Sequence, residues 1–271
     1  MLATDGDFNV GISNQKALET LVGDQRASGV ALSTLGFGDG NYNDAMAERL
    51  ADVGDGNHAY IDTLQEARKV LVDEMQSTLL TIARDVKIQL EFNPAQVAEY
   101  RLIGYENRAL RNEDFANDRV DAGEIGAGHE VTALYEITLA GSGAERLPPL
   151  RYAGTRATPP ATAASTEIAH LRLRYKLPDA AASKLIETPI LRSQLQPEAG
   201  ESLRFAAAVA AFADALRGGT QMDAWSLDNI ADAARNAQGS DRWGLRAEFL
   251  QLVAAARQQL DAQSRSAAIA D

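Results

Sequence analysis

The stretch Leu2-Ala3-Thr4-Asp5-Gly6-Asp7-Phe8-Asn9 decides how the chain is read. Small apolar residues run into Thr-Asp-Gly-Asp, and Asn14 then opens an amphipathic segment. This is the pattern of a buried strand, a loop with two carboxylates, and a helix. In open α/β sheets ligands bind at loops beyond the carboxyl ends of strands. Asp5 and Asp7 are therefore the first candidate site residues, as metal ligands. A strand that ends at Thr4 has almost no chain before it to build its neighbours, so the reading is the rear part of a larger metal-binding domain followed by a long extension.

The pattern continues outward from there. Asn14 is placed as an N-cap, Leu18, Leu21 and Val22 share a face, and Gly29 stops the helix. Val30-Ala31-Leu32-Ser33-Thr34-Leu35 fits a strand covered on both faces, as in parallel sheets. A helix over Ala45 to Val53 and a strand at His58-Ala59-Tyr60-Ile61 come next. Thr63-Leu64-Gln65-Glu66 has the capping-box spacing, and its helix aligns Leu64, Ala67, Leu71, Met75, Thr78, Leu79 and Ile82 along one side. Alternating strands and helices predict βαβ units and a parallel sheet up to residue 83.

The period then changes to two. Val86-Lys87-Ile88-Gln89-Leu90-Glu91-Phe92 alternates strictly, the mark of a half-buried antiparallel strand whose apolar side faces inward. Tyr100 to Tyr105, Val131 to Leu139 and Ile168 to Lys176 add strands, with shorter ones expected near Leu185-Ile186-Glu187 and Ile190-Leu191. Residues 112–128 and 141–166 read as loops. From Glu201 the chain is helical and rich in Ala, with a Phe205, Val209, Phe212 and Leu216 stripe. Further helices are expected over Leu227 to Ala237 and Asp241 to Gln263, the last with Trp243, Phe249, Leu250, Val253 and Leu260 apolar. The predicted fold class is α+β: a truncated α/β unit over 1–83, an antiparallel β-sandwich-like domain over 84–195, and a helical region over 196–271.

Composition narrows the function classes. A formal charge of −12 argues against nucleic acid, which is bound by basic residues neutralising phosphates. The absence of cysteine excludes disulfides and thiolate metal sites. No run of about 18 apolar residues marks a membrane span. Asp39, Asn41, Asn43 and Asp44 have the look of a Ca²⁺ loop, but the sixth position is not Gly and the twelfth is Leu50 rather than Glu. That stretch reads as a solvated turn and helix cap. Glu113, Asp114, Asn117, Asp118, Asp121 and Glu124 read as an acidic solvated loop, and His58, His129 and His170 lack ligand spacing. No phosphate loop, nucleophile elbow or dinucleotide fingerprint occurs.

Leu2 to Asn9, Leu32-Ser33-Thr34-Leu35-Gly36-Phe37-Gly38 and Asn57-His58-Ala59-Tyr60-Ile61-Asp62 resemble the second half of a von Willebrand factor type A domain, a Rossmann-like fold. The whole chain resembles the bacterial YfbK-like family, in which such a domain precedes a C-terminal extension of unassigned function. Glu91-Phe92-Asn93-Pro94, Tyr100 to Asn107, Gly126-Ala127-Gly128-His129, Leu173 to Lys176 and Phe205 to Phe212 carry that likeness. The resemblance implies a metal-ion-dependent adhesion site for Mg²⁺ or a similar cation, with ligands from an Asp-x-Ser-x-Ser motif, a middle-loop Thr and the Asp of Thr-Asp-Gly. Asp5 matches the third. The other two have no counterpart in this sequence, so an incomplete site is expected here.

The functional expectation is a non-enzymatic protein-binding module, divalent-cation-dependent in intact relatives, with an unknown protein ligand and a cell-envelope location (periplasm or lipoprotein) for the full-length family. The alternative is a metal-independent structural or assembly protein acting through the sandwich and helices. An unpaired sheet edge next to Leu2-Ala3-Thr4 further predicts self-association, or partial disorder of residues 1–83.

Overall fold

The computed structural model describes residues 1–5, 14–38, 42–104, 110–120, 122–147, 166–219, 222 and 225–270. The chain forms two units: Met1–Asn93 with Arg108–Thr132 and Pro159–Ile190, and Pro94–Asn107 with Ala133–Thr158 and Leu191–Asp271. Both helix and sheet are present, as the α+β reading requires.

In the first unit the alternating segment builds a parallel sheet of β1 (Leu2–Thr4), β2 (Thr34–Phe37) and β3 (His58–Ile61), in that spatial order. Helices α1 (Gln15–Ala27) and α2 (Asp44–Val53) are the crossovers. Asn14 caps α1 as expected from sequence, its Oδ1 accepting from Ala17 N–H, and within the expected turn before α2 it is Asn43 whose Oδ1 accepts from Met46 N–H. Each cap occupies an N–H that the helix start leaves without an intrahelical acceptor. One sheet face meets α2, where Thr34 donates its hydroxyl to the Ala47 carbonyl. The other holds Leu35 and Ile61 against Val70, with Phe37, Ala59, Ala67 and Leu71 packed around them. β2 is thus covered on both sides.

The helix after Thr63 departs from expectation. Thr63 caps it through Glu66 N–H, but it breaks into α3 (Leu64–Arg68), a π-helical turn (Lys69–Asp73) and α4 (Met75–Leu79). A π turn changes the angular register of a helix, so the expected apolar side does not stay on one face. Val70 is buried, whereas Leu64 and Leu79 are exposed. Ile82 belongs not to this helix but to β4 (Thr81–Phe92).

β4 is central in a second, antiparallel sheet of order β6-β4-β8-β9, with β6 (Gly123–Gly126), β8 (Glu167–Lys176) and β9 (Lys184–Leu191). β6 lies inside a stretch read from sequence as loop, and β9 is one strand running through Pro189 rather than two short ones. Ile88 pairs with Leu173 and Leu90 with Leu171. A register shift falls between Arg84 and Lys87, where Asp85 takes φ 50°. The simple alternation rule fails in the middle of β4, where Lys87 is 2% exposed and Ile88 is 47% exposed, while Glu91 stays exposed and Leu90 and Phe92 half-buried. The segment Asn112–Asn117 covers the polar side, and Lys87 Nζ donates to the Asp114 and Asn117 carbonyls at 3.4 and 2.5 Å.

The second unit contains the antiparallel pair β5 (Val97–Ile103) and β7 (Leu134–Leu139), tied by Arg101 Nε donating to Glu136 Oε2 at 2.6 Å. Its helices are α5 (Glu201–Leu216), α6 (Leu227–Arg235) and α7 (Leu245–Ala270). Their core is Ala208, Ala211, Phe212, Ile230, Ala234 and Val253. Phe249 meets Phe205 and Phe212 edge-on, each with centroids 5.4 Å apart. Ala208 and Ala211 join Phe205 and Phe212 in the α5 contact, whereas Val209 and Leu216 of the expected stripe are exposed.

Candidate functional site

Thr4, Gly36 and Tyr60 form one register row across the parallel sheet. Beyond that row the carboxyl ends release Asp5 after β1, Gly38 after β2 and Asp62 after β3. Gly38 turns the chain with φ 86°, a conformation that L side chains rarely adopt. Tyr42 and Tyr60 wall this end, their rings 5.2 Å apart, and Tyr60 donates its hydroxyl to the Gly38 carbonyl. Tyr42 Oη lies 2.0 Å from where a Cβ on Gly36 would stand, so the glycine makes room for the phenol. Burial pushes the Tyr42 phenol up, with the charge of Asp44 and then Tyr60 adding to it. Asp7, the second candidate ligand, lies outside the described residues, as do Asp39, Asn41 and Asp121.

Mg²⁺ requires near-octahedral oxygen coordination and gives up water reluctantly. Among the described residues no three His, Cys, Asp or Glu side chains converge on a point. Asp5 is the described carboxylate in the matching position, and one such oxygen donor does not make a cage for that ion. The donor set of the described residues therefore does not by itself fit the implied cation.

The acidic stretch from Glu113 receives cations from the protein itself. Asp118 accepts from Arg174 Nη1 at 3.3 Å through its carboxylate and from Lys176 Nζ at 2.9 Å through its backbone carbonyl. Hydrogen bonding from Ser183, then from Arg174, holds the Asp118 carboxyl below the usual carboxylate range, although burial opposes this. Lys176 also meets Asp85 Oδ2 at 2.6 Å, with both side chains largely buried. Sequence alternation concealed this network, because it placed Lys87, Arg174 and Lys176 on a face assumed to be wet.

His129 is exposed, and His170 sits opposite Glu91 in the β4–β8 pairing. His58 is the one built into polar contacts on two sides: Nε2 lies 2.9 Å from Asp44 Oδ1, and Nδ1 lies 2.9 Å from Thr34 Oγ1. A carboxylate, an imidazole and a hydroxyl in line have the ordering of a nucleophilic triad. Thr34, however, is 0% exposed. No substrate carbon reaches that oxygen, so the chain of contacts is internal. The sequence signal that could have exposed it is the parallel register, which sets Thr34 directly beside His58.

The family described as "Uncharacterized protein YfbK, C-terminal" matches residues 77–259. The curated protein described as "Uncharacterized protein YfbK", from Escherichia coli (strain K12), is 51% identical over 253 residues, which cover 93% of this chain and 43% of that protein. The chain thus spans less than half the length of this relative. The likeness runs through β4, the acidic stretch, both antiparallel sheets and the three C-terminal helices. The match covers well over half of the residues, and the chain belongs to the YfbK C-terminal family.

Proposed function

We propose that this chain is a non-enzymatic protein-binding module. Residues 1–83 are read as the C-terminal part of a von Willebrand type A domain, 84–195 as a β-sandwich-like domain, and 196–271 as a helical region. The observation that carries the reading is the parallel sheet whose three strands end, at one carboxyl edge, before Asp5, Gly38 and Asp62. Ligands of open α/β sheets lie at this edge, and Thr4-Asp5-Gly6 supplies the expected acidic contribution.

In full-length relatives the binding of a protein ligand is proposed to depend on a divalent cation, at the cell envelope. For this chain partner contact rests on its own surfaces. The discriminating experiment is capture of partners from envelope extracts by this chain and by the longer E. coli relative, with and without EDTA. Chelator-sensitive capture by the relative supports the adhesion reading; capture that survives EDTA unchanged in both contradicts it.

The second reading is a metal-independent assembly role. Its support is the apolar exposure of Leu64, Val72 and Leu79, at 70%, 66% and 65%, spread along the α3–α4 segment. Large exposed apolar patches mark interaction surfaces.

A further inference from the structure

The Asp44–His58–Thr34 contacts have a proton count. Thr34 Oγ1 is 2.9 Å from the Ala47 carbonyl and 2.9 Å from His58 Nδ1, and His58 Nε2 is 2.9 Å from Asp44 Oδ1. Three hydrogen bonds need three protons. The threonine hydroxyl carries one, and with an ionised Asp44 the set closes only when both ring nitrogens carry theirs. In the singly protonated ring Nε2–H keeps Asp44, and Thr34 must turn its O–H to the bare Nδ1. The bond to Ala47 is then given up.

These four residues join three elements. Asp44 is the first residue of α2, Ala47 lies in its first turn, Thr34 opens β2 and His58 opens β3. We propose that they form a proton-operated latch, which clamps the first turn of α2 to the parallel sheet when His58 is doubly protonated and slackens it as pH rises. The latch lies at the end of the segment that leaves β2 after Gly38 and carries Tyr42, so it governs how firmly one wall of the carboxyl edge is held. From α2 the ionisable groups are Asp44 and, one turn on, Glu48. On the same sheet face they are Tyr42 and Tyr60, while β1 and β2 offer only Leu2, Thr4, Thr34 and Gly36 in the facing register. Asp44 is 65% exposed in its side chain and His58 15%, so the acid stays hydrated while the ring is enclosed.

The test is NMR on the full chain between about pH 5 and pH 8.5, the range in which histidine changes charge. Ring nitrogen shifts of His58, identified by their loss in His58→Gln, are followed beside the exchange of the Ala47 and Ala51 amides. The latch predicts protection falling about three- to tenfold, the loss of roughly one hydrogen bond, with the same midpoint as the ring. Thr34→Ser keeps this coupling and Thr34→Val abolishes it. Where Thr34→Val does not fold, Asp44→Asn reports instead, moving the step to lower pH. Protection that stays flat through the ring's titration, a step unchanged in Thr34→Val, or a step unmoved by Asp44→Asn overturns the proposal.

Discussion

Lys87 Nζ and the Asn117 carbonyl oxygen lie 2.5 Å apart, joining the middle of β4 to a segment 30 residues later in the chain. The ammonium is buried and the carbonyls of Asp114 and Asn117 are its acceptors. A buried charge is tolerated only when hydrogen-bonded, so the strap over the polar side of the sheet and the lysine beneath it depend on each other.

Replacing this lysine breaks the arrangement without filling it. Lys87→Met keeps the stem but removes the ammonium from two carbonyls that retain the Asn117 and Val120 N–H donors, and is expected to cost about 1–2 kcal/mol in urea unfolding. Lys184→Met, at an exposed position in β9, stays within about 0.5 kcal/mol of the parent. Equal effects of the two substitutions would contradict the burial argument.

Close backbone approach makes one glycine of β6 different from its neighbour. A Cβ at Gly126 would stand 1.6 Å from the Ser77 carbonyl oxygen, whereas one at Gly123 meets nothing within 4 Å. Gly126→Ala therefore forces α4 away from the sheet, with an expected loss of about 1–3 kcal/mol. Gly123→Ala is near neutral. Paired denaturation curves decide the matter.

Asp241 gives the acid side of the stability profile. Burial pushes its carboxyl up, but hydrogen bonds from the Ala247 and Arg246 amides, with Gln238 and the Arg246 charge, outweigh burial and hold it below the ordinary range. Ala247 N–H reaches Asp241 Oδ2 at 2.8 Å, in the first turn of α7. A depressed carboxylate stabilises the fold above its unfolded-state value, near pH 4, and the gain disappears as pH falls through the lower folded-state value. Asp241→Asn is expected to cost about 0.5–1 kcal/mol at neutral pH, discounted for exposure. The gap to the parent closes below about pH 4 in thermal melts. A gap that persists undiminished well below pH 4 would show that the charge is not the cause.

Much of this architecture is legible in the sequence. Asn14, Asn43 and Thr63 cap helices where Asx and Thr residues precede apolar periods, and the period-two runs at 86–92 and 168–176 are paired strands. What escaped reading depends on contacts distant along the chain. Lys87 is buried because a strap 30 residues on folds over it, and no local period encodes that. The π turn at Lys69–Asp73 preserves helical composition while shifting its faces, so Leu64 and Leu79 look like core and are exposed. Gly123–Gly126 forms a strand despite two glycines because β4 offers a free edge. At the site, the sequence places Asp5 directly after β1, where the structure has it; the Thr34–His58 contact was hidden until strand register was known.

β1 pairs with β2 and forms an outer strand of the parallel sheet. Leu2 N–H bonds the Ser33 carbonyl at 2.8 Å, so by strand alternation the Ala3 N–H points to the side of β1 on which no strand lies among the described residues. Unpaired edges template association. Sedimentation velocity is expected to show concentration-dependent association that Ala3→Pro, lacking that N–H, reduces. A monomer over the whole concentration range would rule this out.

The proposal for full-length relatives is a cation pocket that takes oxygens from several loops, with Asp5 as one contributor. Its most direct test is calorimetric titration of this chain with Mg²⁺, beside Asp5→Asn. The account predicts no binding tighter than about millimolar, the weak end of protein sites for hard divalent cations. A micromolar constant that Asp5→Asn abolishes would contradict it.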